Sequence, residues 1–151
     1  MNAAVLVASF DELDAPTAYG LWRLRQEVFV VEQACPYLDL DGRDLEPGTR
    51  HLWIAEEGRP VGYLRLLEDP EALRIGRVLV APGHRGAGLA AVLMQRALEL
   101  VGERVSVLDA QSHLAGWYER FGYVATGPEF LDDGIPHVPM RRTSLTVSSL
   151  D

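Results

Sequence analysis

The stretch from Leu73 to Val101 limits the fold more than any other part of the chain. An apolar strand-like run, ending at Leu79-Val80, passes through Ala81-Pro82-Gly83-His84-Arg85-Gly86-Ala87-Gly88 into a strongly periodic helix. Leu89, Leu93, Ala97 and Leu100 line one side of that helix, with Ala90, Met94 and Val101 beside them. Glycines let the backbone turn sharply and approach a ligand closely. The free N–H groups and the dipole of a helix start bind phosphate oxygens, and Arg85 adds a positive charge there. The segment reads as a cradle for a diphosphate; the plainer reading is an ordinary strand-to-helix turn.

The rest of the chain supplies a sheet for that helix. A short strand, Val5 to Phe10, precedes a helix over about residues 17–31 opened by Asp14 and Pro16, with Leu21, Leu24, Val28 and Val31 on one face. Residues 34–48, with Pro36, Gly42, Pro47 and Gly48, form a long loop, and long loops in compact domains are often functional. Its Asp39, Asp41, Asp44 and Glu46 read as a solvated face, or as an attractor for a cationic amine. Two β-rich runs, His51–Glu57 and Pro60–Leu67, flank a Gly58-Arg59 turn, and a third strand covers about residues 72–80. Val105–Leu108 is a compact strand. A helix then begins near Ser112, with Leu114, Trp117, Tyr118 and Phe121 at helical spacing and Gly122 placed to end it. A turn at Asp132-Asp133-Gly134 leads to a last strand near Val138–Arg142. The order β-α-loop-β-β-β-α-β-α-β-β predicts one α+β domain over residues 1–151, with a mostly antiparallel central sheet flanked by helices.

Composition removes several classes of function. A chain of 151 residues suits one domain and buries enough surface to need no staple. Cys35 is the only cysteine, so no intrachain disulfide forms; it reads as a packed or loop thiol, and a reducing cytoplasm is the expected location. No apolar run approaches the roughly 18 residues of a membrane helix, and Met1-Asn2-Ala3-Ala4 lacks the basic start of a secretory signal. The net charge is −8 with no basic stripe, so no nucleic-acid partner is expected. Residues 1–75 carry 14 acids against 7 arginines, and residues 76–151 carry 8 against 7, which points an anionic ligand toward the second half. There is no lysine, which excludes Schiff-base chemistry and phosphate-loop NTPases. His51, His84, His113 and His137 show no metal-ligand spacing, so no metal is expected.

Two ligands could own the diphosphate. Gly86-Ala87-Gly88-Leu89-Ala90-Ala91 also satisfies the dinucleotide pattern, with Asp109 near the offset of a ribose-binding acid, which would make the protein a nicotinamide-dependent oxidoreductase. That fold needs more parallel strands than the residues after Asp109 can supply. Arg85-Gly86-Ala87-Gly88-Leu89-Ala90 instead resembles the R/Q-x-x-G-x-G/A signature of the GNAT N-acyltransferases, and Tyr118-Glu119-Arg120-Phe121-Gly122-Tyr123 resembles that family's Y-x-x-x-G-F/Y segment. Phe29-Val30-Val31-Glu32-Gln33, Cys35-Pro36-Tyr37, Ile75-Gly76-Arg77-Val78 and Asp133-Gly134-Ile135-Pro136-His137 resemble the ElaA-type subgroup, across about residues 21–142.

The resemblance implies the GNAT fold and acetyl transfer from acetyl-CoA to a small-molecule or peptide amine, in a chain that could pair as a homodimer. A non-catalytic CoA-binding regulator of the same fold is the alternative. It implies that the backbone of Val78, Leu79 and Val80 meets the pantetheine amides and that Arg85, Gly86, Ala87, Gly88, Leu89 and Ala90 hold the diphosphate. Gln111 stands where many members carry Asn, and Ala87 where Lys or Arg is frequent. Direct transfer needs an oxyanion donor, an acid for the thiolate and a base for the amine. A backbone N–H near Val80 is the candidate donor and Tyr118 the candidate acid, since phenol and thiol reference pKa values of ~10 and ~8.5 are close. Glu32 and His51 are the favoured bases because the first helix and adjoining loop border the acceptor site in this fold; Glu27, His113 and His137 are further candidates.

Overall fold

The computed structural model describes residues 4–143. Eight strands form one sheet: β1 (Leu6–Ala8), β2 (Arg50–Glu56), β3 (Arg59–Glu68), β4 (Leu73–Val80), β5 (Ser106–Gln111), β6 (Val124–Ala125), β7 (Phe130–Asp132) and β8 (Ile135–Arg142). Their order is β1-β2-β3-β4-β5-β8-β6, with β7 also pairing β8. Only β4 and β5 run parallel; every other pair is antiparallel. A doubly wound dinucleotide fold is thereby excluded, since it needs a largely parallel sheet. The helices are α1 (Ala15–Arg25), α2 (Leu89–Val101) and α3 (Ala115–Glu119). Among the described residues, no helix is long and apolar enough to cross a membrane.

Alternation along the strands feeds two cores, one on each face. Leu52, Ile54, Leu64 and Leu66 point to one side and meet Leu93, Met94, Ala97 and Val101 of α2. Trp53 and Tyr63 point to the other and meet Leu21, Leu24 and Val28 of α1. With helices on both faces, β3 is buried without a break from Val61 to Leu67, as a doubly covered strand must be. Gly62 lets α2 sit close, since a Cβ there would lie 3.2 Å from Leu93 Cδ1.

Several expectations shift. The β2–β3 turn is Glu57-Gly58 rather than Gly58-Arg59, with Glu56 opposite Arg59 and positive φ at both turn residues. β7 is a strand the sequence reading lacked, joined to β8 through Asp133-Gly134 in the same turn geometry. The first helix changes character after Arg25: residues Gln26–Glu32 form a π-helical continuation, with N–H groups of Gln33 and Cys35 bonded five residues back. The wider turn breaks the 3.6-residue face, so Val28 is buried while Val31 is 70% exposed.

Candidate active site

The parallel pairing of β4 with β5 consists of Leu73 opposite Ser106 and Arg74 opposite Val107, and then stops. β4 runs on to Val80 and β5 to Gln111, so the two strands splay. A bulge in β4 bends it away: Tyr63 faces Leu79 and Arg65 faces Gly76, leaving Arg77 and Val78 opposite Leu64 alone. Arg77 takes a left-handed φ of 53°, uncommon for a residue with a side chain. Two cavities open at the splay. One of about 660 Å³ lies beside the start of α2, and one of about 220 Å³ lies among the π-helical turn, residues 35–39 and the β7–β8 hairpin. Phe29, Gln33, Val78, Gln111, Leu114 and Tyr118 line both, so the two cavities adjoin.

The larger cavity is shaped for an anion at its mouth. Gly86 and Gly88 have φ of 87° and 79°, a region that favours glycine. Gly88 is the N-cap of α2 and brings no side chain to cap it. The start of α1 differs: Asp14 accepts from the Thr17 N–H at 2.8 Å. First-turn N–H groups of α2 are thus left for a ligand, at the positive end of the dipole. Val78, Leu79, Val80, Arg85, Gly86, Gly88, Leu89, Ala90 and Gln111 all line this cavity; Ala87 does not. Arg85 is not idle. Its Nε donates to the Val80 carbonyl at 3.0 Å and its two terminal nitrogens donate to Glu32, both at 2.6 Å. That bidentate bond holds the Glu32 carboxyl below its ordinary range.

Tyr118 is 7% exposed and reaches both cavities. Burial, with a smaller push from Tyr123, drives its ionisation upward, so the phenol keeps its proton at neutral pH. Trp117 and Tyr123 pack edge-on against its ring, with centroids 4.9 and 6.3 Å away.

His51 is placed elsewhere. It is fully buried within the sheet and lines neither cavity. Its Nε2 lies 3.1 Å from the Asp44 carbonyl, which can only accept, so Nε2 carries the proton and Nδ1 takes the Tyr63 hydroxyl at 2.6 Å. Burial lowers its pKa further, leaving a neutral ring with both nitrogens engaged. The geometry therefore separates His51 from both cavities, against the expectation of a base at the site. Glu32 does line the larger cavity, as the partner of Arg85. His113 joins that cavity and His137 the smaller one.

The carboxylates of the acidic loop are paired rather than free, with Asp44 buried and Asp41 and Glu46 still partly exposed. Asp44 accepts from Arg25 at 2.6 Å and from Arg65 at 3.1 Å, and Asp39 pairs with Arg25 and Arg77, each at 2.8 Å. Asp41 takes both terminal nitrogens of Arg65, at 2.8 and 2.9 Å. Burial pushes Asp41 up, but the Arg65 bonds and the Arg43 N–H outweigh it and bring the carboxyl to about 2. Glu46 binds Arg43. This network welds residues 39–44 to β3 and β4 and forms one wall of the smaller cavity. The sequence reading missed Arg25, Arg65 and Arg77. A signal existed for Arg25, four residues after Leu21 and three before Val28, on the buried face of the helix.

A family model for the acetyltransferase (GNAT) domain matches residues 18–144. The chain belongs to the GNAT acetyltransferase family. A UPF0039 protein of Mycobacterium tuberculosis is 48% identical over 136 residues, 87% of each chain. A crystal structure of an acyl-CoA N-acyltransferase from Pseudomonas aeruginosa superposes with TM-score 0.90 at 40% identity, covering 94% of this chain and all of that one. The crystal structure of Escherichia coli ElaA gives TM-score 0.88 at 35% identity, covering 93% and 99%. The GNAT domain here is of the ElaA type, and the protein is an acyltransferase. In this GNAT domain the glycine turn, the splayed strands and the tyrosine converge on one cleft.

Proposed function

We propose that this acyltransferase moves an acetyl group from acetyl-CoA to a primary amine by direct attack on the thioester. The observation that carries the reading is the pair of adjoining cavities at the β4–β5 splay, with an uncapped helix start at one mouth and Tyr118 where they meet. The larger cavity fits the co-substrate chemically. Past Arg74 the β5-facing edge of β4 has no strand beside it, so the backbone from Val78 to Val80 can extend its ladder to pantetheine amides. The Gly86–Ala90 turn and the helix start receive the diphosphate. To bind it, Arg85 exchanges its carboxylate partner, Glu32, for phosphate oxygens.

The acceptor enters through the smaller cavity. The amine nitrogen attacks the carbonyl carbon, a backbone N–H of β4 near Val80 stabilises the developing oxyanion, and Tyr118 gives its proton to the departing thiolate. A protonated phenol at the junction is what that last step requires.

Calorimetric titration with coenzyme A and a thiol-release assay over an amine panel test the reading. The panel includes 1,4-diaminobutane, glucosamine, hydroxylamine and a short peptide. Micromolar coenzyme A binding and thiol release with at least one amine are expected. Absence of coenzyme A binding would overturn it.

A further inference from the structure

The mechanism still lacks a base, and the carboxylates and the histidine of the smaller cavity can be compared one by one. Asp39 is consumed by Arg25 and Arg77. Asp109 is paired with Arg74 at 3.2 Å. Asp132 and Asp133 sit exposed at the end of the β7–β8 hairpin. His137 differs from all of these. It stands on β8 directly opposite Gln111, one of the residues shared by the two cavities, and is itself part-buried. Its Nδ1 lies 2.7 Å from the Ile135 carbonyl. A carbonyl cannot donate, so Nδ1 holds the ring proton and the lone pair resides on Nε2. Phe130 packs against the ring with centroids 6.0 Å apart and planes 29° from parallel. The imidazole is therefore held in one tautomer and one plane, with its basic nitrogen unengaged among the described residues.

We propose that His137 is the general base, taking the amine proton through Nε2 directly or across one water. The assignment rests on the acetyl-transfer reading above. The protons balance: Nε2 takes one from the substrate ammonium, and the freed nitrogen pair bonds to the carbonyl carbon as the π pair moves to oxygen. The carbonyl then reforms as the C–S bond breaks, the thiolate takes the Tyr118 proton, and the remaining excess proton on nitrogen passes to the phenolate. The imidazolium returns to neutral by exchange with solvent, leaving amide and thiol.

The test is His137→Asn, whose side-chain amide keeps a donor for the Ile135 carbonyl while removing Nε2. The expected result is a fall in kcat of about 10²-fold or more with 1,4-diaminobutane, within the usual range for a general base. Coenzyme A affinity and Tm should match the wild type. The deficit should be much smaller with hydroxylamine, which is largely neutral at the assay pH, and added imidazole should restore part of the rate of His137→Ala. An Asn variant with wild-type kcat overturns the base assignment alone. An equal loss for both nucleophiles, without imidazole rescue, also overturns it, because the residue would then be merely structural. If the wild type releases no thiol with any amine of the panel, the acetyl-transfer reading falls first and this assignment with it.

Discussion

The two cavities of the cleft are built in opposite ways. Most of the larger is contributed by one continuous stretch, from Val78 to Ala91, whose backbone carries the uncapped helix start. The smaller draws on the π-helical turn, the 35–39 loop, three strands and a hairpin. One side can therefore be read locally, and the other exists only once distant segments have met. The ion pairs follow the same division. Arg25 is fully buried among carboxylates, whereas Arg85 and Glu32 are half exposed. A desolvated pair is permanent, because either partner left alone is a buried charge. An exposed pair is nearly neutral in stability and can change partners.

Four measurements test that contrast. The largest effect should come from Asp44→Asn, which leaves Arg25 and Arg65 under-compensated. A loss of about 3–5 kcal/mol is expected in denaturant unfolding, and a loss near zero would show the network to be a surface feature. Tyr118→Phe should lower kcat about 10²-fold, as for loss of a general acid, while leaving coenzyme A affinity within twofold by calorimetry. Unchanged turnover would remove Tyr118 from the chemistry. Glu32→Gln should tighten coenzyme A binding by about threefold to fivefold, since Arg85 no longer has to give up a carboxylate; weaker binding would mean that Glu32 contacts the co-substrate instead.

The smallest effect is in pH. The Asp41 carboxyl, held at about 2, lies below the ordinary value of ~3.9. Its contribution to stability is complete above about pH 4 and is lost as pH falls toward 2. Acid titration of Tm should show that slope, and Asp41→Asn should flatten it. The same curve for both proteins would detach the loop network from acid stability.

Much of the sheet and all three helices were legible because their periodicities are local. The strand–turn–helix at 73–101 announced itself through glycines whose positive φ is a property of single residues. His51 shows the limit of such reading. Its place at a strand start beside an acidic loop looked catalytic, yet strand register put it on the α1 face against Trp22 and Tyr63, and the fold closed it off. Val31 failed for a different reason: a π-helical turn depends on what the helix end packs against, and no residue spacing encodes it. β7 escaped notice because a three-residue strand carries too little pattern.

By itself, the amino-acid order determined an α+β chain, a glycine turn at 85–90 that opens a helix, and a tyrosine placed as in the GNAT pattern. Those are statements about neighbours within one or two turns of backbone. The tertiary structure alone decided which carboxylates are spent on arginines, which histidines face a cavity, and where β4 and β5 part. Each depends on the separation of groups tens of residues apart, such as Arg25 from Asp44 or Gln111 from His137. Burial and charge pairing arise only from that separation.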